Sequence, residues 1–124
     1  MLILNAAERI EMLWQGKVIS DNVKRIVFKA MDWLNKKQLD LDSDNGQMFI
    51  THLAMSLERC DRGEEVVALP EDMMGEVRSS KGYGLACEFI EYLEELLNYE
   101  LPECEKGYIL LHLSVLKEGE VKCD

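Results

Sequence analysis

Apolar residues recur at three- and four-residue intervals through most of the chain, and polar or glycine-containing breaks divide that pattern into six amphipathic segments. Asn5-Ala6-Ala7-Glu8 opens the first: a polar side chain followed three positions later by an acid can satisfy the free amides of a helix start. Ala6, Ile10, Leu13 and Trp14 then share a helical face, and Gly16 is expected to stop the helix by adopting a left-handed backbone. Ser20 and Asp21 suit the start of a second helix, whose inward stripe is Val23, Ile26, Val27, Ala30 and Leu34 and which closes on Lys36-Lys37. The short Lys17–Ile19 connection predicts that these two helices pack antiparallel.

A third helix is expected from about Gln47 to Arg59 with Phe49, Leu53 and Leu57 inward. The acidic run before it, Asp40-Leu41-Asp42-Ser43-Asp44-Asn45-Gly46, invites comparison with a calcium loop, which needs glycine at its sixth position and glutamate at its twelfth. Counting from Asp40, those positions are Asn45 and Thr51, so the run reads as a helix-capping loop. After the polar break Asp61–Glu65, Val66–Leu69 lacks a strand to pair with and is expected to be a packed loop; Pro70 then suits the first position of a short helix ending near Val77.

Lys81-Gly82-Tyr83-Gly84 has two of the three glycines of a dinucleotide loop but no preceding strand, so it reads as the turn into a fifth helix, Leu85 to Tyr99. Ala86, Phe89, Ile90, Leu93 and Leu97 form its inner face, and Glu88, Glu91, Glu94 and Glu95 a solvated outer one. Leu101-Pro102 interrupts the pattern. The last helix carries Ile109, Leu113 and Leu116 inward, with His112 close to Ile109 and Leu116. Glu118–Asp124 looks like a flexible tail. These segments predict an all-α fold, a compact bundle of about five to six helices forming one domain over residues 1–124 with its core at about 5–117.

Composition narrows the function. With 24 acidic against 14 basic residues the formal charge is −10, which argues against direct binding of nucleic acid. There is no apolar stretch of membrane-spanning length and no secretory leader, so a cytoplasmic protein without a membrane partner is expected. Cys60, Cys87, Cys104 and Cys123 include no CxxC pair and are expected to be reduced thiols rather than metal ligands.

Two histidines, His52 and His112, are the side chains best suited to accept a proton or phosphoryl group near neutral pH. Each taken alone reads more simply as a structural residue. A Cys104–His112 catalytic pair is excluded within one helix, because eight residues separate them by roughly 12 Å of rise; Cys60 or Cys87 would have to approach from elsewhere. With no nucleophile, metal or cofactor motif, the chain is not expected to be an enzyme, and no cofactor is implied.

The surroundings of the two histidines change this picture. His52-Leu53-Ala54 with Arg59 seven residues on, and Leu101-Pro102, Glu105, Gly107-Tyr108-Ile109 and Leu111-His112-Leu113, resemble the two signature regions of the PTS regulation domain, or PRD. Leu69-Pro70 and the Tyr83–Leu97 segment also fit, so the likeness spans roughly Asn5 to Leu116.

The resemblance implies an all-α domain that receives phosphoryl groups on His52 and His112 from the sugar phosphotransferase system, through the phosphocarrier HPr or an EIIB component. Arg59 and Glu105 occupy accompanying motif positions and are expected to support the histidines rather than to catalyse. A homodimer is implied, together with a separate transcription regulator as partner. The family's well-known regulators add a nucleic-acid-binding module and often a second PRD, neither of which fits before Asn5 or after Leu116, so a stand-alone regulatory domain is expected. The contrasting reading is an oligomerisation module that uses the same bundle without phosphorylation.

Overall fold

The computed structural model describes residues 5–64 and 71–121, with side chains described except at 71, 115 and 117–121. All regular structure among these residues is helical, in agreement with the all-α expectation. The helices are α1 (Ala6–Gln15), α2 (Asp21–Lys36), α3 (Asp44–Asp61), α4 (Glu71–Arg78), α5 (Tyr83–Leu97) and α6 (Glu103–Val121). They fall into two compact units, Met1–Gly63 and Glu64–Asp124.

In the first unit α1, α2 and α3 pack against one another. The predicted capping box forms: Asn5 Oδ1 accepts from the Glu8 N–H at 2.8 Å, and Glu8 Oε1 accepts from the Asn5 N–H at 3.1 Å. Ala6 and Ile10 are buried, whereas Leu13 and Trp14 are only half-buried. Trp14 clasps α2 from the rim: its Nε1 donates to Asp21 Oδ1 at 2.6 Å, and Lys24 Nζ lies 3.6 Å from the ring centroid. Lys24 also pairs with Glu11 at 3.0 Å. On the far end of α2, Lys37 Nζ lies 5.0 Å from the Trp33 ring.

The α1 terminus corrects one expectation. Gly16 has φ −80°, and the left-handed residue is Lys17 at φ 63°. The Lys17 N–H donates to Trp14 O at 3.0 Å and the Val18 N–H to Leu13 O at 2.9 Å, the paired bonds of a Schellman turn, which places the positive-φ residue one position beyond the cap. Gln38, at φ 66°, ends α2 in the same way, bonding to Asn35 O while the Leu39 N–H reaches Leu34 O. The α2 core stripe is buried as predicted, joined by Met31, and Ser20 caps the helix by accepting from the Val23 N–H at 3.2 Å.

Helix α3 starts three residues earlier than the apolar pattern suggests, because Ser43 Oγ caps it by accepting from the Gly46 N–H at 3.0 Å. The acidic loop spends its oxygens on protein donors. Asp40 Oδ1 accepts from the Asp42 N–H at 3.0 Å, Asp40 O from the Ser43 hydroxyl at 2.8 Å, and Asp42 Oδ1 from the Ala6 N–H of α1 at 2.9 Å. Leu39 and Leu41 turn into the core from the same loop, both 4% exposed. The loop backbone lies against the first turn of α3 so closely that a Cβ on Gly46 would fall 2.3 Å from Asp40 O and 2.6 Å from Leu41 Cα.

In the second unit α6 packs against α4 and α5. Val77, Ala86, Phe89, Ile90, Leu93, Ile109, Leu113 and Leu116 are buried, while Leu97 is half-buried. Helix α5 begins two residues before Leu85 and stops two before Tyr99, where Asn98 takes φ 64°. Helix α6 continues past Leu116 to Val121, so the segment read as a tail is helical that far. The Val66–Leu69 loop, Pro70 and Cys123 lie outside the described residues.

Replacing Gly46 by alanine is expected to destabilise the protein by about 2 kcal/mol or more, since a methyl group must displace backbone rather than a side-chain tip; urea unfolding compared with wild type measures this. Lys17→Gly is expected to do the opposite, stabilising by about 0.5–1 kcal/mol through relief of the left-handed conformation, visible as a higher urea midpoint with an unchanged slope.

Candidate functional site

His52 stands on α3 two turns beyond the capped, glycine-anchored start of that helix. Its residues Leu53, Ala54 and Leu57 are buried, which turns position 52 outward, and the imidazole is exposed. It lines a cavity of about 260 Å³ in the first unit with Arg9 of α1 and Asp44, Gln47, Met48 and Thr51 of α3. The Arg9 Nε donates to Gln47 Oε1 at 3.1 Å, and Gln47 Nε2 donates to Asp42 O at 3.0 Å. A guanidinium, a carboxylate and an imidazole are thus gathered around one opening.

Arg9 was not legible as a site residue. It follows the capping box on the polar face of α1, where an arginine is usually solvated, and only the packing of α1 on α3 brings it to His52. Arg59, the cation that the signature motif pairs with His52, is half-buried and seven residues along the helix, roughly 10 Å of rise away. Cys60 is eight residues from His52 on the same helix, roughly 12 Å in rise, too far for a nucleophile–base pair.

His112 belongs to the second unit and is half-buried on α6, between the buried residues Ile109, Leu113 and Leu116 and the half-exposed Tyr108 and Leu111. Tyr108 precedes it by four residues, so the two side chains share a helix face. Glu105, one turn earlier again, is 1% exposed, one of the most enclosed side chains of the molecule. A carboxylate so placed in the first turn of α6 also lies at the positive end of the helix dipole. Ser114 Oγ is buried with no hydrogen-bond partner among the described residues.

The start of α6, and with it the position of His112, is fixed by Glu94. This residue was expected on a solvated face. Instead its Oε2 accepts from the Leu101 N–H at 2.7 Å and lies 3.5 Å from Lys106 Nζ, joining α5 to the first turn of α6. Burial alone would push the Lys106 ammonium down, but the Glu94 carboxylate, followed by Glu103, outweighs it and holds the pKa above the ordinary lysine value.

Among the described residues no group of three or more His, Cys, Asp or Glu side chains is gathered that could hold a metal ion. Cys60, Cys87 and Cys104 are not joined in disulfides. Cys87 is engaged by Tyr83, and that hydrogen bond, with the neighbouring thiol's charge, pushes the tyrosine hydroxyl up. No helix among the described residues is long and apolar enough to cross a membrane.

Among the described residues the chain is all-helical, with an exposed histidine on α3 and a half-buried one on α6, and comparison with known proteins supplies the class. The PRD domain model matches residues 28–116, well over half of the chain, and the chain belongs to the PRD family. The uncharacterized protein YhfY of Escherichia coli strain K12 is 27% identical over 106 residues, covering 85% of this chain and 88% of that protein. An uncharacterized protein of Haemophilus influenzae is also 27% identical, over 84% of this chain and 86% of its own length. The GlcA/glcB genes antiterminator of Staphylococcus carnosus is 27% identical over 82% of this chain, which spans only 36% of that longer protein. No solved structure matches the chain. The PRD is a regulatory domain linked to the phosphotransferase system, and this chain carries one.

Because the folded Lys106 holds its proton more tightly than the unfolded one, the Glu94–Lys106 contribution is fully present below the unfolded lysine pKa and is lost as pH rises through the raised folded value. Lys106→Met is expected to cost about 0.5–1 kcal/mol near neutral pH, with the difference from wild type shrinking as pH rises above the ordinary lysine value of about 10.4; urea unfolding on either side of that value tests it.

Proposed function

We propose that this chain is a phosphorylation-responsive regulatory module of the sugar phosphotransferase system, in which His52 and His112 accept phosphoryl groups and the modification alters contacts with protein partners. The observation that carries the reading is the exposure of His52 in a chain that belongs to the PRD family. An imidazole open to solvent and lining a polar cavity is available to a donor protein, whereas the purely structural alternative has no use for that placement. His112, half-buried, offers a second and more restricted position.

The chemistry requires no cofactor. A neutral imidazole presents a lone pair that can attack phosphorus while the donor's P–N or P–S bond breaks and its electron pair returns to the donor atom. HPr or an EIIB component would supply the group. The product places a multiply negative group on a chain already carrying −10. In a homodimer, repulsion between acidic surfaces would then weaken or rearrange the contact, and a separate transcription regulator would read the change. Arg59 and Glu105 support the histidine-bearing helices in this account and take no part in bond making. Residues Asn5–Leu116 would make up the PRD, acting in the cytoplasm.

Incubation of the full chain with enzyme I, HPr and phosphoenolpyruvate is expected to add phosphoryl groups visible by intact-protein mass spectrometry. Single substitutions His52→Ala and His112→Ala should each remove the corresponding site, and the double substitution all of the added mass. An unchanged mass with HPr and with every EIIB donor of the host would sink the mechanism.

A further inference from the structure

The cavity at His52 holds a charge arrangement that a structural histidine does not need. Its lining contains one cation, Arg9, and one carboxylate, Asp44. Arg9 is exposed, and its Nε is fixed by Gln47, a residue itself only 8% exposed and tied to the loop through Asp42 O. Among the described residues the Arg9 guanidinium forms no ion pair, even though Asp44 lines the same cavity. A guanidinium presents five N–H donors in a planar fork suited to phosphoryl oxygens. With Nε committed to Gln47, the four donors on the terminal nitrogens remain to face a ligand.

We propose that Arg9 binds the phosphoryl group carried by His52, which rests on the reading of His52 as a phosphoacceptor. A dianion created beside Asp44 on a chain of net charge −10 meets repulsion from both. The one guanidinium in the same cavity offsets it with charge-assisted hydrogen bonds. Arg9 makes no bond to phosphorus. The transfer is a displacement in which the donor bond breaks, the His52–phosphorus bond forms, and the proton on the other His52 ring nitrogen stays in place. Arg9 holds the oxygens of the arriving group, so the modified ring is drawn toward α1 and the modification is felt at the α1–α3 contact as well as on α3.

Potassium phosphoramidate, a small phosphodonor that needs no docking surface, separates this role from the identity of the protein donor. With the full chain, labelling at His52 and His112 is followed by site-resolved mass spectrometry and by phosphorus NMR. Arg9→Gln is expected to slow labelling at His52 about tenfold, the scale of one lost charged hydrogen bond, and to shift the His52 phosphorus resonance. His112, in the other unit, should label at the wild-type rate. Arg9→Lys, which keeps the charge but not the fork, should recover part of the rate. Equal His52 labelling and an unmoved resonance in Arg9→Gln would overturn the role of Arg9 while leaving His52 as an acceptor. No label at His52 in the wild type, from phosphoramidate or from phosphorylated HPr, would overturn both.

Discussion

The first unit depends on a backbone contact that only glycine permits. Where the Asp40–Leu41 backbone presses on the opening turn of α3, Gly46 leaves no room for even a methyl group. That contact lets Ser43 cap the helix, lets Leu39 and Leu41 reach the core, and aims the Asp42 carboxylate at the first amide of α1. Gln47, one residue further, is held to Asp42 O and in turn holds Arg9. A steric constraint at one residue is therefore transmitted by four short polar links to the cavity in which His52 stands. The second unit uses a different device, an acid rather than a glycine: Glu94 joins the last turn of α5 to the first of α6 through the Leu101 amide and the Lys106 ammonium.

Local periodicity carried most of the fold. The α2 stripe from Val23 to Leu34, the Asn5 capping box and the Ser20 cap depend on residues within one or two turns of each other, and all three were readable from spacing. What escaped was whatever depends on chain segments meeting. Gly16 looked like the left-handed residue because glycine pays no steric penalty there, yet the Schellman geometry shifts that conformation to Lys17. Glu94 was indistinguishable in sequence from its acidic neighbours Glu91 and Glu95, since its two partners lie seven and twelve residues on. The start of α3 was placed late because Asp44, Asn45 and Gly46 are weak helix formers whose helicity is imposed by the Ser43 cap and the loop above it.

The site divides along the same line. Both histidines could be picked out because only two exist and each sits in a recognisable motif, and Arg59 and Glu105 followed from those motifs. Arg9 lies before the residues that the family model covers, 28–116, so neither motif nor family led to it. Its proximity to His52 arises from the packing of α1 on α3 and from a side-chain amide 38 positions away. Glu105 shows the converse: the motif singled it out, and the fold encloses it at 1% exposure, a placement suited to holding α6 in position.

The aromatic residues are partitioned in a way that bears on how such a molecule can be watched. Both tryptophans, Trp14 and Trp33, stand in the first unit, whereas all four tyrosines, at 83, 92, 99 and 108, stand in the second. Indole absorbs at longer wavelengths than phenol, so emission excited at the red edge reports on the His52-bearing unit alone. Trp14 is the more informative of the pair, because an ammonium against its face and a carboxylate on its ring nitrogen make its emission sensitive to any shift of α1 over α2. The chain thus carries its own optical probe on one half, leaving the other half spectrally silent under the same illumination.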